Sequence, residues 1–220
     1  DEAFSDFPEE ERYSKITTSF ALSAYLRTLL TTESPWQQYL KGDQAALTQS
    51  EKDGALLFFG KARCYTCHTG PALNSMRFYA LGVNDLCDVG GLATSADDER
   101  NLGRGGFTGK AEDMHKFKVP QLYNLQDSPF YFHGSSKNTL EEVVEYFNIG
   151  VPENARVPEE QLPPYFRPLR LSSEEVANVT SFLETALRDP NLERYVPHFV
   201  LSGNCMPNND VLSKAELGCE

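Results

Sequence analysis

The sequence predicts a mostly α-helical chain, and three observations carry that reading. Three Ser/Thr-x-x-Glu capping boxes each open an apolar-periodic run. Further helix-period segments lie ahead of them. No strand-like alternation persists beyond a few residues, and no internal repeat is evident.

In chain order, residues 9–31 read as one helix, with Ile16, Phe20, Leu22, Leu26 and Leu29 near three- and four-residue spacing. Glu9, Glu10 and Glu11 occupy its first turn, where the helix dipole favours acidic side chains. Ser34-Pro35 is a cap followed by proline at the first helical position, and it opens a short helix through Leu40. Trp36, the only tryptophan, reads as an interhelix packing residue at that start. Thr48-Gln49-Ser50-Glu51 is the first capping box and leads into Leu56, Leu57, Phe58 and Phe59. Between residues 82 and 138 glycine, asparagine and aspartate are frequent and periodicity disappears. So long an irregular stretch is anomalous in an ordinary compact domain, but it suits a chain that wraps something large. Thr139-Leu140-Glu141-Glu142 then leads into Val143, Val144 and Phe147, and Ser172-Ser173-Glu174-Glu175 into Val176, Val179, Phe182, Leu183 and Ala186.

Composition narrows the function classes. At 220 residues and 40% apolar content, the chain can build one domain with a real core. No run of eighteen apolar residues exists, so no membrane span is expected. A net charge of −12 argues against nucleic acid or anionic membranes as partners and favours a partner with a basic face. No leader-like sequence opens the chain, so residue 1 is expected to be a processed terminus or a cut inside a longer protein.

The chemistry concentrates at Cys64-Tyr65-Thr66-Cys67-His68, a Cys-x-x-Cys-His motif that marks covalent attachment of a c-type haem. Two intervening residues let one turn of chain present both thiols to one porphyrin edge. The adjacent histidine then ligates the iron. A thioredoxin-like pair wants a βαβ context, which is missing. A zinc site wants a second close ligand pair, and Cys205 and Cys219 do not supply one. The expectation is therefore one covalent haem c in a class I-like cytochrome c domain, its long irregular loops wrapping the cofactor. Residues 1–190 form this haem domain, 1–50 as flanking helices and 51–190 as the haem core. Residues 191–220 form a C-terminal extension closed by a Cys205–Cys219 disulfide, which fits the oxidising compartment where such haems are attached. Cys87 has no visible partner. For the iron's other face the available side chains are Met76, Met114, Met206, His115, His133 and His198. Of these, His115 lies between charged residues and is expected to be solvated.

From Phe58 onward the motifs follow one another in a specific order: Phe58-Phe59-Gly60-Lys61, the haem motif with Thr69-Gly70-Pro71, Leu81-Gly82-Val83, Gly103-Arg104, Phe107-Thr108-Gly109-Lys110, Phe117 through Asn124, Tyr131-Phe132-His133 and Leu140 through Val144. This series resembles the bacterial di-haem cytochrome c peroxidase and MauG family, and in particular its second, C-terminal haem domain. The resemblance implies a periplasmic oxidoreductase in which this haem stores and relays an electron. A first domain, on this or another chain, would carry the peroxide-binding haem. A small redox protein would supply electrons to the peroxidases, and a partner protein's aromatic residue would be the substrate of the MauG type. A non-catalytic electron-transfer cytochrome is the remaining reading. The resemblance also implies calcium between the two domains, held partly by backbone carbonyls at Ser128 and Phe130, and a role near the haem or the domain interface for His133. Two positions depart from the pattern. Phe147 stands where relatives carry a methionine or tyrosine ligand, facing the haem without ligating it, while Tyr146 lies about 100° round the helix. Tyr123 replaces an arginine that could pair with a haem propionate.

Overall fold

The structure, a computed structural model, describes residues 4–86, 88 and 94–192. Cys87, Cys205, Cys219, His198 and Met206 lie outside these residues, and so does the expected disulfide. Two compact units are distinguished, one of residues 33–189 and a smaller one that includes residues 4–32.

In the smaller unit the single helix expected over 9–31 is divided. A 3₁₀ turn spans Glu9–Glu11, and helix α1 runs Lys15–Leu26. Ser14 caps α1 in a box with Thr17: the Thr17 amide donates to Ser14 Oγ and the Ser14 amide to Thr17 Oγ1. Ile16, Phe20, Leu22 and Leu26 are exposed, and only Thr17 of α1 is buried. At 100° per residue, Ile16 and Phe20 point about 120° away from Leu22 and Leu26, so these residues never formed one apolar stripe.

In the larger unit the capping signals place the starts of four of the five α-helices among the described residues. Helix α2 spans Pro35–Leu40, α3 Gln49–Phe59, α4 Arg104–Thr108, α5 Leu140–Ile149 and α6 Ser173–Ser181. The exception is α4, which follows Gly103 without a side-chain cap. Thr48, Thr139 and Ser172 each accept the amide three residues on, as their boxes require. Glu51 reaches further than its cap. Its carboxylate also accepts the Thr185 hydroxyl at 2.5 Å, joining the start of α3 to the π-helical turn Phe182–Ala186 that extends α6.

The core lies between α3, α5 and α6, with Phe58, Val176, Val179, Phe182, Leu140 and Leu187 all at most 2% exposed. Trp36 packs edge-on to Phe182 and stacks on Phe59, the interhelix role its position suggested. Helices α3 and α6 approach closely because residue 54 is glycine. A Cβ there would stand 2.0 Å from the Asn178 carbonyl oxygen and 2.8 Å from Phe182 Cβ. Backbone cannot yield as a flexible side chain can. Gly54→Ala is therefore expected to destabilise the unit by about 3 kcal/mol, read as a lower denaturant midpoint with unchanged slope; an unchanged midpoint would show that the two helices can part without cost.

Among the described residues, the stretch between α3 and α5 contains only short elements. Strands β1 (Phe78–Tyr79) and β2 (Phe117–Lys118) pair antiparallel, Phe78 opposite Lys118 and Tyr79 opposite Phe117. Asn101, 1% exposed, organises the rest. Its Oδ1 accepts the Leu86 amide and His133 Nε2, and its carbonyl accepts His115 Nδ1. His115 is thus half-buried and hydrogen-bonded, not solvated as its charged neighbours suggested.

Candidate haem site

Helix α3 delivers the chain directly to the Cys-x-x-Cys-His turn. Arg63 takes a left-handed conformation (φ 56°) and redirects the backbone. Cys64–Thr66 then forms one 3₁₀ turn, closed by the Cys67 and His68 amides donating to the Cys64 carbonyl at 3.2 and 3.0 Å. His68 Nδ1 donates to the Leu73 carbonyl at 2.9 Å, which fixes the tautomer and leaves the Nε2 lone pair free for a metal. Burial holds the imidazole below its ordinary pKa, against the opposing pull of the Leu73 and Pro120 backbone, so the ring stays neutral. The following loop is fastened from the core side: the hydroxyl of buried Tyr123 donates to the Pro71 carbonyl at 3.0 Å.

These residues open onto a cavity of about 450 Å³, within the ~300–1,000 Å³ range of cofactor pockets. Cys64, Cys67 and His68 lie on its wall. Phe58 comes from α3, Val143, Val144 and Phe147 from α5, Val179 and Leu183 from the α6 arm, and Tyr79 and Phe117 from the two strands. The lining is mostly apolar and, among the described residues, contains no aspartate or glutamate.

The thiols are poorly suited to the competing chemistries. Burial pushes Cys64 up to about 12 and raises Cys67 as well, despite hydrogen bonds from Thr66 and Tyr165. A redox dithiol needs a depressed thiolate pKa. Among the described residues no cluster of three or more His, Cys, Asp or Glu could hold a metal ion. Two thiols on an apolar wall beside a neutral, anchored histidine fit a covalently attached haem, held by Cys64 and Cys67 with His68 toward the iron.

Phe147 lies on the cavity wall, packed against Phe132 and Phe166. Tyr146 does not: it is 4% exposed and its hydroxyl donates to the Leu81 carbonyl at 2.6 Å. Among the other ligand candidates, Met76 is 63% exposed, and neither Met114 nor His115 reaches the wall. His133 does line it, stacked on Phe117 with ring centroids 4.2 Å apart and its Nε2 held by Asn101. Ser128 and Phe130 are exposed, and the Ser128 hydroxyl donates to the Phe130 carbonyl at 2.8 Å. Sequence reasoning did not single out Arg63, Tyr165 and Arg167, which also line the cavity, and it included Lys118, likewise on the wall, only within an ordered motif. Only the adjacency of Arg63 to Cys64 could have pointed to any of them.

No protein family model matches the chain. Cytochrome-c peroxidase IdrP2 of Denitromonas iodatirespirans is 29% identical over 182 residues, covering 76% of this chain and 47% of that protein. The chain is similar to cytochrome c peroxidases. The methylamine utilization protein MauG of Methylorubrum extorquens is 29% identical over 186 residues, covering 84% and 48%. A crystal structure of a MauG-like protein associated with microbial copper homeostasis superposes with a TM-score of 0.60 at 29% identity, covering 73% of this chain and 49% of that one. The resemblance read from the ordered motifs therefore holds. This peroxidase- and MauG-like chain spans about half the length of the curated relatives it matches.

Proposed function

We propose that this chain is the electron-relay haem c domain of a periplasmic di-haem peroxidase that reduces hydrogen peroxide with electrons from a small redox protein. The observation that carries the reading is the convergence of Cys64, Cys67 and a tautomer-fixed His68 on one apolar cavity. Haem bound there supplies the one-electron chemistry of its iron. The chain's own residues position and insulate it. His68 is held by Leu73, the loop behind it by Tyr123, and the apolar walls exclude water. The peroxide-binding haem belongs to a second domain or chain, since one Cys-x-x-Cys-His occurs here. The Ser128 and Phe130 carbonyls would meet calcium only with ligands from that domain. The surplus of acidic residues suits a donor with a basic face.

The test uses the full-length gene product matured with haem, mixed with hydrogen peroxide and a reduced basic cytochrome or cupredoxin. Donor oxidation that requires peroxide and weakens with added salt is expected. Peroxide left unconsumed with every such donor would overturn the reading. A second reading is a MauG-type oxidase that modifies an aromatic residue of a partner protein. It is favoured by Phe147 on the wall and by the absence of methionine from that wall among the described residues. Under it, peroxide is consumed only alongside a mass change in the partner.

A further inference from the structure

We infer that Arg63 binds a carboxylate of the haem, supplying the cation that Tyr123 does not. The inference rests on the reading that haem occupies this cavity. In a chain with 32 acidic and 20 basic residues, the charged side chains on the cavity wall are nevertheless all basic among the described residues: Arg63, Lys118 and Arg167. A mostly apolar chamber with cations and no carboxylate is complementary to a large apolar ligand bearing negative groups, and haem carries two propionates.

Arg63 is singled out among the three by its environment. Lys118 and Arg167 are exposed, whereas Arg63 is half-buried and its Nε is buried without any hydrogen-bond partner. Its Nη2 makes only a long contact, 3.4 Å, to the Arg167 carbonyl. A guanidinium donor removed from water and left unpaired is unfavourable, so native interiors rarely keep one without an acceptor supplied by something bound. The residue also holds a left-handed backbone (φ 56°), and non-glycine residues in that region cluster at functional sites. Tyr123 cannot serve instead, because it is neutral and its hydroxyl is committed to Pro71. The guanidinium fork matches a carboxylate in a way an ammonium does not.

The experiment measures midpoint potential and the resonance Raman carboxylate-bending band of haem-loaded full-length wild type, Arg63→Gln and Arg63→Lys. Covalent haem is verified first in denatured protein. Loss of the positive charge should favour the ferric state, so R63Q is expected to show a lower potential for this haem, with R63K close to wild type. The band of the native protein is expected at the frequency of an ion-paired propionate, and to move in R63Q. Should R63Q fail to mature, the native band and its displacement in R63K decide. A native band typical of a solvated propionate, or haem-loaded R63Q with unchanged potential and band, would overturn the inference. Wild type lacking covalent haem would instead remove the cofactor reading, and the Arg63 inference with it.

Discussion

Serine at both Cys64 and Cys67 is expected to yield a chain that retains no haem after denaturation and has lost most of its native packing. The first effect follows from chemistry, since a hydroxyl does not form the thioethers that a thiol forms with haem vinyl groups. The second follows from where the cavity sits. Its wall is built from α3, α5 and the α6 arm, the same elements that carry Phe58, Leu140, Val179 and Leu183 in the core. Without its occupant, about 450 Å³ of mostly apolar space at ~24 cal/mol per Å³ sets an upper bound on the order of 10 kcal/mol, comparable to the whole stability of an ordinary domain. Collapse relieves part of that cost, at the expense of the helix packing. On the proposed reading, haem would act as core material as well as redox centre. The measurements are haem retention after acidic acetone and near-ultraviolet circular dichroism. Cys64→Ser alone is expected to keep the haem through Cys67 and to unfold at lower denaturant. A double variant with native circular dichroism would show that the protein core closes without the cofactor.

The helices were legible wherever the signal was local. The cap residues Ser34, Thr48, Thr139 and Ser172 fix α2, α3, α5 and α6 through bonds spanning three residues, and each stands at the predicted start. Helix α1 was misread because its box closes with Thr17 rather than a glutamate, and because its apolar residues fall on two faces. The Cys64–His68 turn was legible because attachment chemistry dictates its spacing. The Asn101 hub was not: His115 and His133 lie 14 and 32 residues away from it, in a stretch without periodicity. Nor was the charge of the cavity wall, since Arg63, Lys118 and Arg167 meet only when the chain folds. The different fates of Tyr146 and Phe147 could be read beforehand. Helical geometry separates neighbours by 100°, and one ring turns to Leu81 while the other lines the cavity.

The ferric haem-loaded protein is expected to contain a high-spin component at this haem and to bind cyanide there, and Phe147→Met is expected to abolish both. Helix α5 places Leu140, Val143, Val144 and Phe147 along the cavity wall, and none of them carries an atom able to ligate iron. Tyr146 has its hydroxyl on Leu81, and burial raises its phenol pKa, which opposes the phenolate a ferric iron would require. Moving that oxygen to the cavity would break a 2.6 Å hydrogen bond and turn the helix by about a quarter. Methionine at 147 has nearly the volume of phenylalanine and a flexible thioether, so the wall should accept it for less than about 1.5 kcal/mol. The variant should then become low-spin, with a higher potential, as a thioether ligand dictates. Besides Thr66 and Lys118, the wall carries lone pairs on Tyr79, Tyr131, Tyr165 and His133. Tyr131 already donates to the Leu125 carbonyl, and His133 spends Nε2 on Asn101. A wild-type spectrum that is wholly low-spin and unmoved by cyanide would mean that a side chain other than the position on α5 ligates the iron, one of these or one outside the described residues such as His198 or Met206. Phe147→Met would then leave the spectrum as it was, so the pair of measurements separates a site lacking a second strong ligand from one whose ligand has migrated.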